Sequence, residues 1–594
     1  MSRENWKSIG MVAGLIVIWL CIFWPTLGKL PLIRPEAMYA QIPLEMLQSG
    51  DWLTPRLNGA RYLDKPPLLY WMNLIAFKVG GISGESVRWT TFLIGLGEVL
   101  ATFVIGALLF SRLTGWLSAI VLISSIGFFA MHQQILPDHL ITLTLICSII
   151  FLWCWRSQPR WYYSLGFYFC CALGLLSKGF IGLFFPLAIG VTFALITRQR
   201  RFWRFFFHPG ALLGFIALTV PWFWLMELRH PGFLNFHLVN EQIMRFLGKR
   251  SPADVQSLPL VGFWLFSFIW LMPWTPFLPT ACIAIWPKNF MSPSPEEEGR
   301  ILLVLWALVV LLFFSLSSTR IEYYTLPALP ALALIIGWRL ELYLKEPHTR
   351  AIKLSILLYA FLIIGMIALL PVLESICVNN RREFIGMFGQ LQPLAHRSAL
   401  VFAVLLVATT ITCWRGVPQF CLFSLFGAAL VLLFFTFQSL RVLSPHLSDA
   451  WVGDFLRDQV QPGDAVVMGN IEEFEYGMSL RFYTQRRVLM VQRGELPAFG
   501  FPLKPSENFL ITTDTLLELW KGPQRVFLLV DDCSPENYLP NTTVLQARGG
   551  KRLIVNHAYQ RAQYLPPSPD PLYLKMELPP QEKNANRSYD TFTR

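Results

Sequence analysis

Ionisable residues stand out in this chain because they are scarce: 14% of its 594 residues are charged. Asp64-Lys65-Pro66-Pro67 sets an acid beside a base ahead of a proline pair. Lys178 lies between Ser177 and Gly179 in an otherwise apolar stretch, and Asp138 follows Pro137. Glu36, Arg61, Glu241, Arg245, Arg320 and Glu322 complete the set, with Tyr62 and Tyr323 beside them. Charged groups near a membrane interior are costly and mark function by default. Each also has a bland explanation: a solvated turn at Asp64-Lys65, a snorkelling lysine at 178, a helix N-cap at Asp138. Glu36 could be a surface carboxylate, and Arg320 and Glu322 a local ion pair with interfacial tyrosines. No Ser/His/Asp arrangement, Walker loop or paired-histidine metal motif is present, and the nine histidines are scattered. The chemistry left open is that of carboxylates and fixed cations.

The elements that must position these groups are dictated by composition. Hydrophobic residues make up 54% of the chain and the mean hydropathy is +0.48, whereas a soluble surface needs roughly a quarter of its residues charged. Most of the chain must therefore sit in lipid, which excludes soluble multidomain, disordered, collagen-like, coiled-coil and disulfide-framework classes. Of the ten cysteines, eight fall in apolar runs, and Cys377 and Cys533 alone are expected to reach water.

A bilayer-crossing helix needs about 20 apolar residues. Thirteen candidate spans are predicted: 8–27, 87–110, 116–131, 139–155, 161–176, 179–197, 211–228, 259–286, 301–317, 324–344, 354–373, 398–413 and 418–438. The first reads as a retained span, since no small-x-small cleavage site follows it. With the N-terminus in the cytoplasm, the loops on that side carry 15 Lys/Arg in 55 residues and the outer loops 15 in 128. The net charge of +12 is thus largely a topology signal, and no nucleic-acid partner is needed to explain it. Merging 161–176 with 179–197 would invert everything downstream and put basic loop 345–353 outside.

In this topology every ionisable residue named above lies on the outer side. The long first outer loop, 28–86, is predicted to hold two helices at the membrane surface. One, over 36–49, buries Met38, Tyr39, Ile42, Met46 and Leu47 on one side; the other, over 66–79, starts at its proline pair. Residues 1–438 are expected to form the transmembrane module and 439–594 a small extracytoplasmic α/β domain. In the latter, strands are predicted at 466–468, 488–491, 526–530 and 553–555, and helices at 449–459, 477–484 and 512–521. Residues 579–594 are expected to fray. The absence of internal repeats weighs against a transporter.

At these residues the sequence resembles the GT-C superfamily of membrane glycosyltransferases. It is most similar to the aminoarabinose (lipid A) transferases and the protein O-mannosyltransferase-like family. The stretch from Pro35 through Trp71 carries the likeness over nearly its whole length. Ser177-Lys-Gly-Phe-Ile-Gly182 and Arg320-Ile-Glu-Tyr-Tyr-Thr-Leu-Pro-Ala-Leu-Pro330 add to it, and Asp138 adds weakly. The resemblance spans roughly 1–340. It implies an α-helical polytopic enzyme of about thirteen transmembrane helices. Such an enzyme would pass a sugar, with inversion, from a polyprenyl-phosphate carrier to a lipid, glycan or protein acceptor outside the cytoplasmic membrane.

Two positions depart from the family pattern. Relatives commonly carry Asp-Glu where this chain has Pro35-Glu36, leaving Glu36 as the remaining acid. Gln242 follows Glu241 where related enzymes have His. If that His serves a metal, Gln is a poor substitute, so Asp64 and Glu241 are not expected to hold a metal tightly.

The resemblance also implies roles. Lys65, Arg245 and Lys178 would stabilise the departing lipid phosphate, with Arg61 and Tyr62 beside them. Glu36 would serve as base, and Asp138 would orient Lys178 or share the acidic role. Asp64, Glu241, Arg320 and Tyr323 are further candidates. Two other classes of function fit part of the sequence: a lipid-linked sugar flippase, or a non-catalytic scaffold.

Overall fold

The computed structural model describes residues 3–251, 257–289, 293–362, 364–365, 383–469, 478–491, 509–531, 539–548 and 550–556. Among these, eight helices are long and apolar enough to cross a bilayer, and up to ten if each of two bent pairs is one span. The chain is a multi-pass membrane protein. Ten of the thirteen expected spans coincide with these helices and pairs. The doubtful stretches form separate helices, Trp161–Lys178 and Ile181–Ile196. The expected 354–373 span is helical where it is described, and residue 363 and residues 366–373 lie outside the described set.

Glycine makes that helical hairpin possible. Gly179 turns the chain at φ +90, and Gly174 and Gly182 meet backbone to backbone, where any Cβ would collide. Lys178 is thereby fixed at the last position of its helix.

Two expected spans are broken. Segment 259–286 bends by 101° between Leu260–Trp270 and Thr275–Ile285, and 116–131 bends by 60° between Arg112–Ile123 and Ile126–His132. Pro273 and Pro276 remove donors at the first break. Ser124 and Ser125 mark the second. The breaks meet: the Ile126 amide donates to the Met272 carbonyl at 2.9 Å and the Trp274 indole to Ser124 Oγ at 3.0 Å. Backbone groups freed in an apolar interior are thus satisfied by each other.

The first long loop, 28–86, forms helix Arg34–Ser49, a hairpin of β1 (Arg56–Leu57) and β2 (Ala60–Arg61), and helix Leu68–Gly80. Asn58 and Gly59, at φ 54 and 84, supply the positive-φ pair that a two-residue hairpin turn requires. Helix Arg34–Ser49 was expected to bury one side. Instead every residue from Glu36 to Met46 is buried, because the C-terminal region covers its outer face.

That region is a six-stranded sheet of β3 (Ala465–Met468), β4 (Val488–Val491), β5 (Leu510–Ile511), β6 (Val526–Asp531), β7 (Thr543–Arg548) and β8 (Lys551–Val555), in the order β5-β4-β3-β6-β8-β7. The four strands from β5 to β6 are parallel, and β8 and β7 add antiparallel. Alternate residues face opposite layers: Val466, Phe527 and Leu553 pack with Leu456 and Leu480, whereas Val467, Leu528 and Ile554 pack with Leu516 and Trp520. Helices Ala450–Arg457, Met478–Thr484 and Thr513–Lys521 match expectation; residues 579–594 lie outside the described set.

The sheet region grips the first loop through specific bonds. The Asn58 amide donates to the Val488 carbonyl at 2.8 Å and its carbonyl accepts the Val488 N–H at 3.2 Å. Tyr483 Oη accepts the Leu32 N–H at 2.8 Å. Glu45 accepts the amides of Asn58 and Gly59 and lies 3.5 Å from Arg481.

Candidate functional site

Where helix ends and the loop 28–86 meet, an open cleft is lined by Lys65, Lys178, Glu241 and Arg245 on its polar side and by Phe246, Phe313 and Phe314 on its apolar side. Lys65 arrives from the turn after β2, held by the Pro66-Pro67 entry to the next helix. Glu241 and Gln242 come from an unusually wide π-helical segment, Asn235–Met244, a geometry frequent at functional sites. Gln242 packs its side chain against Gly179, where a Cβ would come within 2.6 Å of it.

Charge binds the cavity together. Glu241 Oε2 lies 3.5 Å from Lys65 Nζ and 3.3 Å from Arg245. Arg250 bridges the carboxylates, at 2.5 Å from Glu241 and 2.9 Å from Asp64. Lys178 Nζ donates to Asp138 Oδ1 at 2.5 Å and stands 4.5 Å from the centre of the Tyr324 ring, a cation–π contact. Tyr323 is farther, at 5.6 Å. Among the described residues, Lys65, Lys178, Arg245 and Arg250 here meet the carboxylates Asp64, Asp138 and Glu241, and cations set inside low-dielectric walls attract an anion.

Protonation sharpens this balance. Burial, then repulsion from Glu241, pushes the Asp64 carboxyl up to about 6. Burial also works on Glu241, but Lys65, Arg245 and Arg250 outweigh it and hold that carboxyl below its ordinary value. Burial and Arg245 lower the Lys65 ammonium, against the pull of Glu241 and Asp64. Burial, then Lys65, pushes His237 down to about 4, so it is neutral at physiological pH.

The other expected residues lie elsewhere. Glu36 is fully buried with both oxygens on Arg88, each at 2.7 Å, and it also accepts the Ile33 amide at 3.2 Å. It lines a separate cavity with Arg88, Gln133 and Gln134. Arg88 also donates to the carbonyls of Leu30 and Pro31, so the pair pins the start of the first loop. Arg61 is buried opposite Arg56 in the hairpin, and Tyr62 is buried in the apolar core. Arg320 donates to the carbonyls of Leu258, Ser315 and Ser317, stitching the end of helix Pro295–Leu316 to the segment before the next. Asp138 lies within the first turn of helix Pro137–Ser157, whose N-cap is Leu136, and its Oδ2 is buried without a hydrogen-bond partner.

Sequence reasoning missed Arg250, Arg88 and Tyr324. Arg250 could not be singled out from spacing, because its partners Asp64 and Glu241 lie 186 and 9 residues away. A divalent metal at Asp64 and Glu241 does not fit this donor set: the Arg250 guanidinium already bridges them, Lys65 and Arg245 crowd Glu241, and Gln242 offers no imidazole.

The crystal structure of ArnT from Cupriavidus metallidurans bound to undecaprenyl phosphate superposes with a TM-score of 0.77, covering 94% of this chain and 99% of that one at 20% identity. The fold is that of ArnT. The family described as dolichyl-phosphate-mannose-protein mannosyltransferase matches residues 9–237. Undecaprenyl phosphate-alpha-4-amino-4-deoxy-L-arabinose arabinosyl transferase of Yersinia enterocolitica is 28% identical over 374 residues, which cover 60% of this chain and 66% of that protein. The enzyme of the same name from Aeromonas hydrophila is 28% identical over 352 residues, covering 58% and 62%. The matched stretch therefore spans somewhat under two thirds of these relatives' length. The chain resembles the GT-C membrane glycosyltransferases of the aminoarabinose-transferase kind, as its first-loop signature implied.

Proposed function

We propose that this chain is an inverting glycosyltransferase that moves a sugar from a polyprenyl-phosphate carrier to a lipid, glycan or protein acceptor at the outer face of the cytoplasmic membrane. One observation carries the reading: Lys65, Lys178 and Arg245 converge on a cavity whose opposite wall is Phe246, Phe313 and Phe314. An amphiphile with an anionic head and a hydrocarbon tail matches both walls. The relatives' names, which specify undecaprenyl phosphate as the sugar carrier, support the same class of donor.

In this mechanism the carrier phosphate sits among Lys65, Lys178 and Arg245. As the bond from the anomeric carbon to the phosphate oxygen breaks, the lysines act as point charges and Arg245 can grip two oxygens. Asp138 aims Lys178 through Oδ1, and its unpartnered Oδ2 accepts the proton of an acceptor hydroxyl attacking from the opposite face. Asp64, Glu241 and Arg250 position Lys65 and Arg245 from behind. Glu36, whose oxygens are taken by Arg88, holds the loop that carries the site. Tyr323 and Tyr324 line the approach to Lys178. No step requires a metal at this cavity.

The orientation proposed is N-terminus in the cytoplasm, with residues 439–594 as an outer domain beyond the transmembrane module of 1–438. Two observations support it: Lys65 and Lys178 line one cavity, and the sheet region bonds to the first loop through Asn58 and Leu32. Incubating the purified protein with labelled polyprenyl-phosphate sugar and a membrane extract tests the function. Net transfer of label is expected. Movement of the carrier across a vesicle without transfer would make the protein a flippase, and neither event would make it a scaffold.

A further inference from the structure

Behind Asp138, and apart from the cavity, three ligating side chains converge in the apolar bundle. Glu98 projects from helix Gly84–Leu109, His132 ends helix Ile126–His132, and His139 lies in the first turn of helix Pro137–Ser157. Glu98 Oε1 lies 3.5 Å from His132 Nε2 and 3.9 Å from His139 Nδ1. All three side chains are at most 1% exposed. Each of the three atoms is buried without a hydrogen-bond partner, and together they lie within 4.8 Å of one another.

The far nitrogen of each ring explains why these atoms face inward bare. His132 Nδ1 lies 2.7 Å from the Phe128 carbonyl and His139 Nε2 lies 3.1 Å from the Met131 carbonyl. A carbonyl only accepts, so both of those nitrogens carry the hydrogen. His132 Nε2 and His139 Nδ1 then present lone pairs to a carboxylate oxygen. Three acceptors pointing at one another repel unless a positive centre lies between them. Backbone carbonyls fixing the tautomers of two histidines while their other nitrogens converge is the usual surrounding of a metal-ligating pair. Ligands about 2.0–2.1 Å from a tetrahedral ion stand roughly 3.3 Å apart, close to the spacing found here.

The surroundings are shaped for such a centre. Phe128, Trp19 and Phe23 wall the His132 ring at centroid distances of 4.0, 6.1 and 6.2 Å. Gly95, one turn before Glu98, makes room for it: a Cβ there would lie 2.5 Å from His132 Cδ2 and from the Trp19 ring. We propose that Glu98, His132 and His139 form a buried site for a divalent transition-metal ion, with zinc as its usual occupant. Two imidazoles and one carboxylate suit zinc and its neighbours rather than calcium or magnesium, and leave a fourth position for water. The ion ties helix Gly84–Leu109 to the start of helix Pro137–Ser157 and so fixes Asp138, the partner of Lys178, from the residue next to it. The role is positional.

The test is metal binding by the full-length protein in detergent, which is read independently of glycosyl transfer. After incubation with zinc and desalting, elemental mass spectrometry is expected to find about one ion per chain, and cobalt in its place should give visible ligand-field bands. Glu98→Gln and His139→Asn should each abolish both signals, whereas Glu241→Gln should retain them. Because a ligand variant can misfold, wild-type protein is also melted with zinc and with chelator, and zinc should raise its Tm. No stoichiometric ion in wild type, or an ion lost with Glu241→Gln and kept with His139→Asn, would overturn the proposal. So would a protonated-carboxyl infrared band in metal-free and zinc-treated protein alike that Glu98→Gln removes.

Discussion

Two buried charge clusters, each with one member in the loop 28–86, are built on opposite rules. At Glu36–Arg88 one acid meets one base, both carboxylate oxygens are bonded, and the guanidinium spends its remaining donors on the Leu30 and Pro31 carbonyls. At Lys65, Lys178 and Arg245 three cations from separate segments line an open, partly aromatic cavity. A closed pair contributes to structure, and breaking it leaves a charge without compensation. Cations that line an open cavity are poised for an anionic ligand. Glu36, which lies in the first-loop signature, has both oxygens bonded to Arg88, and the function proposed above assigns the chemistry instead to groups brought together from distant segments.

This contrast can be broken by substitution. The largest effect is expected for Lys65→Ala: transfer should fall by about 10²–10³-fold, the order set by a lost donor to a developing oxyanion, with membrane insertion retained. Radiolabel transfer by purified protein checks it, and near-normal turnover would remove Lys65 from the phosphate site. Asp138→Asn should slow transfer to a hydroxyl by ~100-fold or more, mainly in kcat. A change confined to KM would leave Asp138 only the task of aiming Lys178.

Glu36→Gln should act on stability first. Opening a buried pair costs about 3–5 kcal/mol, read as a lower midpoint in thermal unfolding in detergent, while the folded fraction keeps most of its kcat. A stable variant that is inactive would return Glu36 to the chemistry.

The smallest effect concerns Asp64, whose carboxyl titrates at about 6 in the folded chain against an ordinary 3.8. Its contribution to stability is present below 3.8 and is lost as pH rises through about 6, because the folded state holds a proton the unfolded chain has released. Above that pH the added negative charge should also weaken the hold on an anionic donor. A modest rise in KM for the carrier sugar near pH 6 is expected in wild type and should be missing in Asp64→Asn.

Much of this architecture was legible because lipid imposes long apolar runs and because Val466–Met468, Val488–Val491 and Val526–Val530 are unbroken β-branched and aliphatic stretches buried on both faces. Strand β7, Thr543–Arg548, escaped because it is a partly exposed edge of mixed polarity, and β5 because it is two residues long. The breaks at Ser124 and Pro273 were hidden inside hydrophobic windows whose average ignores a bend. In the candidate site, Lys65 and Lys178 stood out as charges in apolar surroundings. Arg250 and Arg88 did not, since what distinguishes them is a partner far along the chain. The convergence of Glu98, His132 and His139 was equally invisible, the two histidines being seven residues apart across a helix break.

The central claim is that the cavity between Lys65, Lys178 and Arg245 holds the carrier's phosphate. A cryo-electron microscopy structure of the full-length protein with bound polyprenyl phosphate tests it most directly. The account predicts phosphate density in contact with Lys65, Lys178 and Arg245 and the isoprenoid tail along Phe246 and Phe313. Phosphate density on the Arg198–Arg204 basic segment instead, with the cavity filled by water, would contradict it.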